Sequence, residues 1–511
     1  MKRREFIQIM MPIAGLPLVW PMWSFSKPLK KFGRSHGLQN FPDDGRVLVL
    51  VQLAGGNDGM NTVIPFQNDI YYQQRPQLAI PKNEVITLDQ EIGLHPAMAK
   101  FKTLLNEGSL GIVQGVGYPQ PNRSHFRSTD IWLTGSSSEE VVDTGWLGRY
   151  FDLVCPEGEE CGTLGPPAIQ IGLTSSLALL GREQKGIALQ NPVQFYNLAR
   201  RLGSDHEPLP IIEPTTPAER ELEFLRETEA AAFQFAGEIV EAYEKNENKV
   251  PYQNDSLSQQ LAIVARLIAG GLSTRIYIVS LRGFDTHAFQ ANTQRGLLEQ
   301  LTQAVHTFQK DIEQFGLAER VAGFCFSEFG RRVKQNASQG TDHGTAAPMF
   351  FFGKPVIAGV HNPHPSLTDL DDGDLKFLVD FRQIYASLIE QWLVGDAAAI
   401  LGSSFTQLNL IDQTTSVRET AAAPKDHYLQ QNYPNPFNPQ TTIKYGLART
   451  AHVKLVIHNS LGQQVSVLVD ETQNAGRHEI VWQANGHASG VYFLKIQAGE
   501  FQQTRRMMLV K

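Results

Sequence analysis

The chain is poor in cysteine, modest in charge, and has no apolar run long enough to remain as a membrane span. Three cysteines in 511 residues exclude a disulfide-stapled scaffold, although they suit a protein outside the cytoplasm. Cys155 and Cys161 bracket a Pro-Glu-Gly-Glu-Glu loop and could close one small bridge. Cys325 lies in an apolar run and reads as a small buried hydrophobe rather than a nucleophile. Charged residues make up 19% of the chain, with a net charge of −7 and a pI near 6.1. No Lys- and Arg-rich footprint results, and nucleic acid is excluded as a partner. A hydrophobic content of 42% excludes a disordered chain and leaves a soluble globular one. No internal repeat is evident, and the length predicts two to four domains.

What is present begins with a leader. Residues 1–26 carry a basic start and an apolar stretch broken by prolines, the layout of an export signal. The stretch is too short to span a bilayer as a mature helix. Arg3-Arg4 followed by Glu5-Phe6-Ile7 is twin-arginine-like, and Ser24-Phe25-Ser26 is the best small-x-small cleavage candidate. Near the other end, residues 414–427 are rich in Thr, Ala and Ser and read as a linker. Residues 428–511 then break into short alternating runs separated by Gly, Asn and Pro, the pattern of an all-β sandwich.

Residues 46–413 read as α/β, a doubly wound, mostly parallel sheet flanked by helices. Arg46–Leu53, Leu110–Val116, Arg275–Leu281 and Val321–Phe326 are apolar runs of buried parallel strands, alternating with helical spacing at His95–Glu107, Leu257–Gly271, Asn292–Gln314 and Phe381–Leu393. Pro217–Asn246 reads as a long surface helix. Such sheets present their chemistry at the strands' carboxyl ends. The first strand runs into Gly55-Gly56-Asn57-Asp58, a turn in which Asp58 is either a solvated acid or a group at the sheet's mouth. Asn122-Arg123-Ser124-His125 opens a helix, and Ser124 is either its N-cap or an activated hydroxyl. Asp285 and His287 follow a third strand, and Glu328 with Asp342-His343 follows a fourth. Acids and histidines collected at one sheet edge suit a divalent metal: zinc, calcium, manganese or magnesium.

Two stretches carry a resemblance. Asn432-Tyr433-Pro434-Asn435-Pro436-Phe437-Asn438-Pro439, Leu461-Gly462-Gln463, Ala488-Ser489-Gly490-Val491-Tyr492 and the Arg505–Lys511 run resemble the type A sorting domain of the type IX secretion system. That implies a partnership with the secretion machinery through residues 428–511 and a secreted or outer-surface location. Residues 46–413, on Gly55–Asn61, Asn122–Phe126, Gly283–His287, Ser327–Arg331 and Asp342-His343, resemble the family called domain of unknown function 1501, which looks like a relative of alkaline phosphatases and sulfatases.

The resemblance implies Asp58, Asp285, His287, Asp342 and His343 as metal ligands, with Glu328 in a strand-end acidic position, and Ser124 as nucleophile. Arg123 would clamp an anionic oxygen, and His125 would orient substrate or shuttle a proton. No cysteine lies near Ser124, so a Cys-derived formylglycine is not available. The implied function is a secreted metal-dependent hydrolase of phosphate or sulfate esters. The alternative is a non-catalytic surface protein that binds polysaccharide or serves assembly on the same scaffold.

Overall fold

The computed structural model describes residues 45–154, 165–182, 184–203, 235–412 and 427–510, with 431, 433, 434, 436 and 461 excepted. The leader, the Cys155 and Cys161 pair, the linker through residue 426 and part of the Asn-Tyr-Pro motif lie outside the described residues, as does the Pro217–Asn246 helix before residue 235. Residues 235–245 are helical. The chain divides into two compact units near residue 415.

The first unit is built on the strands β1 (Val47–Ala54), β2 (Leu110–Gly117), β3 (Ala168–Ile171), β4 (Gly186–Leu189), β5 (Ile276–Arg282), β6 (Val321–Phe326), β7 (Ala347–Phe352), β8 (Gly359–Val360) and β9 (Val379–Asp380). They form one nine-stranded sheet in the order β8-β2-β7-β6-β1-β5-β3-β4, with β9 also on β2. Strand β1 lies between β5 and β6, parallel to both. Only β7 runs against its neighbours β6 and β2.

The strand β1 explains the layers. Its alternation sends Val47, Val49, Val51 and Leu53 to one face and Leu48 and Leu50 to the other. The helices around the sheet include α1 (Asp69–Gln74), α2 (Ala99–Asn106), α3 (His125–Thr134), α4 (Trp146–Val154), α5 (Pro192–Gly203), α6 (Ser256–Ala269), α7 (Gln290–Gln314) and α8 (Phe381–Leu388). The first face of the sheet packs against α2, α5, α6 and α7 through residues such as Phe101, Leu261 and Phe308. The second packs against α3, α4 and α8 through Trp132, Trp146 and Tyr385. Helix α7 owes its 25 residues to an apolar stripe at Leu297, Leu298, Leu301, Val305, Phe308 and Ile312. The short strands β3 and β4 carry too little periodicity to be read from sequence.

The second unit holds six longer antiparallel strands, β10 (Gln440–Leu447), β11 (Ala451–Asn459), β12 (Gln464–Gln473), β13 (Gly476–Gln483), β14 (Gly490–Ala498) and β15 (Phe501–Leu509). A three-stranded sheet contains β10 and β13, and a four-stranded sheet runs β12-β11-β14-β15. Alternate residues of both, including Ile443, Trp482, Leu455, Leu494 and Met507, share one core.

Within the first unit His95 precedes α2 and is 4% exposed. Its Nδ1 accepts the Ala97 amide at 3.1 Å, so protonation at that atom breaks the bond. Burial, then the charge of Arg295, lower the imidazole from 6.5 to about 4 against an opposing pull from Asp58. The unfolded chain therefore binds this proton first, and the stabilising contribution is complete above pH 6.5 and lost as pH falls toward about 4. Urea unfolding above and within that window should show a loss, and His95→Asn, which keeps a capping acceptor, should reduce it by on the order of 2 kcal/mol.

Candidate metal centre

Four loops meet at the carboxyl edge of the sheet. They follow β1, β2, β5 and β6, and the last of them leads into the reversed strand β7. Gly55 is required where the loops after β1 and β5 approach: its φ is +121°, and a Cβ there would lie 2.4 Å from the Asp285 amide nitrogen. Helix α3 is fixed to the same edge by the Ser128 hydroxyl, which donates to the Glu328 carbonyl at 2.5 Å.

Three histidines are held in the same manner. His125 Nδ1 lies 2.7 Å from Glu328 Oε1, His287 Nδ1 lies 3.1 Å from Asp342 Oδ1, and His343 Nδ1 lies 2.8 Å from the Arg123 carbonyl. Carboxylate and carbonyl oxygens only accept, so these partners place a proton on each Nδ1, and in the neutral form of each ring Nε2 is the lone pair. The three Nε2 atoms face one oxygen: Asp285 Oδ1 is 3.5 Å from His125, 3.1 Å from His287 and 3.4 Å from His343. His287 Nε2 and His343 Nε2 are 2.9 Å apart. His125 Nε2 is buried without a hydrogen-bond partner. The ligand atoms of His125, Asp285 and His343 lie within 4.8 Å of one another.

The surroundings hold this arrangement. Phe329, 2% exposed, packs its ring 4.8 Å from those of both His125 and His343. Arg331 is buried and ties the loops together, donating through Nη2 to Asp285 Oδ1 at 2.8 Å and to the Phe284 carbonyl at 2.9 Å. It also donates to the carbonyls of Gly55, Gly56 and Thr341. Partial burial raises the Asp285 carboxyl, but the Arg331 hydrogen bond and charge, with His125 and His287, lower it to about 2. Burial lowers His343 and favours its neutral form, against the Arg123 carbonyl and Asp285. The Asn336 hydrogen bond is the leading influence that lowers Asp342.

Of the residues singled out in the sequence, Asp285, His287, His343 and His125 face one another, while Glu328 and Asp342 stand behind two of the imidazoles. Asp58 is not brought into the set. Its side chain is fully buried and its Oδ2 accepts from Arg75 at 2.5 Å and from Gln290 Nε2. The expected strand-end ligand is thus one half of a buried ion pair, because Arg75 at the end of α1 reaches it before the open edge does. Arg123, expected as an anion clamp, is paired with Asp374 and, at 3.4 Å, with Asp372. Ser124 occupies the N-cap position of α3, yet its hydroxyl makes no capping bond.

Arg75 and Arg331 went unrecognised in the sequence, where a lone arginine in a loop carries no signal of its burial. Removing one member of a buried pair leaves the other uncompensated. Asp58→Ala should therefore cost roughly 3 kcal/mol of stability in urea unfolding, with Asp58→Ala combined with Arg75→Met recovering part of it.

No curated protein matches the chain. Among solved structures, a sulfatase from Pseudoalteromonas sp. is 10% identical, over 86% of this chain and 84% of that one, with a TM-score of 0.30. An alkaline phosphatase superfamily protein from Vibrio parahaemolyticus is 8% identical, over 91% and 83%, with a TM-score of 0.32. PorZ, a surface component of the type IX secretion system of Porphyromonas gingivalis, is 22% identical over 18% of this chain, with a TM-score of 0.13. The chain covers only 13% of PorZ, and 9% of PorU from the same organism. At these scores the likenesses carry no argument about this chain. Residues 431–511 match the secretion system C-terminal sorting domain, which marks the protein for secretion or the cell surface through the type IX route. Among the described residues no helix is long and apolar enough to cross a membrane. Residues 46–362 match the family described as Protein of unknown function (DUF1501), and the chain belongs to it.

Proposed function

We propose that the cluster holds one divalent metal ion and that the protein is an exported metal-dependent hydrolase of phosphate or sulfate esters. The observation that carries this reading is the convergence of three imidazole lone pairs on the Asp285 carboxylate, with His125 Nε2 buried and unpartnered. Nitrogen-rich donors with one carboxylate suit zinc first and manganese next, while calcium and magnesium prefer all-oxygen sets. The ligands are His125, Asp285, His287 and His343. Glu328, Asp342 and the Arg123 carbonyl orient the three imidazoles, the usual work of groups behind metal-bound histidines.

When bound, the metal lowers the pKa of a neighbouring hydroxyl and stabilises charge developing on the transferred group. Ser124 supplies the hydroxyl. Its place directly before His125, its exposure and its freedom from capping leave it available to attack an ester and expel the alcohol, after which water releases the enzyme. The amide groups of the first turn of α3 add favourable potential for an anion beside it. The open side of the centre is formed by His287 and Asp342, whose side chains are 44% and 58% exposed, and substrate enters there.

A second reading, metal binding without turnover, is favoured by Asp58 and Arg123, since both are engaged in ion pairs. Elemental analysis should find about one equivalent of metal in the purified protein, restored by added zinc if lost, and His343→Ala should lose it. Among aryl phosphates and sulfates at least one should be hydrolysed, with Ser124→Ala lowering kcat by roughly 100-fold or more. Full activity in that variant removes the nucleophile, and metal without hydrolysis turns the reading to the binding protein.

A further inference from the structure

Beside the centre stands a pair of arginines occupied by a carboxylate from a hairpin. Leu370 and Asp371 pair with Leu375 and Asp374, leaving Asp372-Gly373 as a two-residue turn. Both have positive φ, 48° and 79°, the conformation that an Asp-Gly hairpin turn adopts. The turn carries Asp372 Oδ2 to both guanidinium groups: 3.4 Å from Arg123 Nη1 and 3.2 Å from Arg332 Nη2.

The two aspartates differ in their setting. The Asp374 side chain is fully buried and contacts Arg123 Nη2 and, at 3.6 Å, Arg332 Nε. It holds both arginines in place. The Asp372 side chain is 75% exposed and pays little for leaving. The arginine backbones are themselves tied to the centre. The Arg123 carbonyl receives His343 Nδ1, and the Arg332 amide donates to the Asp342 carbonyl at 3.0 Å.

We infer that Arg123 and Arg332 form an oxyanion-binding subsite next to the metal centre and that Asp372 is its displaceable occupant. The substrate class follows: an ester bearing a second phosphate or sulfate group, which enters the subsite as Asp372 swings out. Paired guanidiniums match the oxygens of such a group in number and direction. This deepens the ester-hydrolase reading and rests on it for the word substrate, but the subsite's affinity for an anion does not depend on the metal.

Asp372→Asn removes the competing charge while keeping the turn, since Asn-Gly is also a favoured hairpin dipeptide. Calorimetric titration of the chelator-treated full chain with inorganic phosphate, and separately sulfate, at fixed low ionic strength should show roughly tenfold tighter binding in Asp372→Asn than in the parent. Adding Arg332→Met to that variant should return binding to the parent level or below. A thermal midpoint for each variant establishes that it is folded, and Asp372→Gly repeats the test with no side chain to bond. Binding in folded Asp372→Asn and Asp372→Gly no tighter than in the parent overturns the inference, as does a gain that survives Arg332→Met. Hydrolysis plays no part in these readouts, so a failed metal or nucleophile assignment leaves them intact.

Discussion

A neutral imidazole that gives its Nδ1 proton to an oxygen has only a lone pair left to present from Nε2. Three imidazoles do so here, toward a carboxylate oxygen about which their nitrogens lie at 3.1–3.5 Å. Neutral imidazole lone pairs and an ionised carboxylate repel one another, and Arg331 offsets this only from the Asp285 side. A proton shared between His287 and His343 relieves one contact, but the burial of His343 works against it. A metal ion relieves all of them, and the remaining features of the edge read as means of keeping the three rings turned inward.

The fold supplies those means cheaply because every contributor lies at the same edge. Strands β1, β5 and β6 are adjacent and parallel, so the loops after them begin side by side. Because β7 is reversed, the loop after β6 stays at that edge, with Asp342 and His343 just before β7 begins. Arg331 then bonds to the loops after β1 and β5 and to the loop before β7. The sheet thus determines where the groups are, and one buried guanidinium determines how the loops sit.

Much of this was legible in the residues. The apolar runs revealed the parallel core strands, and the polar residues after them marked the edge. The fourteen-residue step from Glu328 to Asp342 left open which acid belongs at the centre. In the structure each acid lies behind a different histidine, Glu328 behind His125 and Asp342 behind His287. His125 was read as a substrate-orienting or proton-carrying residue, since its inward nitrogen depends on the docking of α3. The Asp58–Arg75 pair was hidden for a related reason. A strand-end aspartate looks the same in sequence whether it faces solvent, metal or a buried arginine, and the choice is made by the short helix α1 that delivers Arg75.

The central claim concerns what lies between three nitrogens and one oxygen. Crystals of the zinc-loaded protein, with anomalous diffraction recorded on both sides of the zinc absorption edge, test it directly. The account predicts one strong anomalous peak about 2.0–2.2 Å from the Nε2 atoms of His125, His287 and His343 and from an Asp285 oxygen. A peak elsewhere, for instance at Asp58, or no peak at this cluster in fully loaded protein, would contradict it.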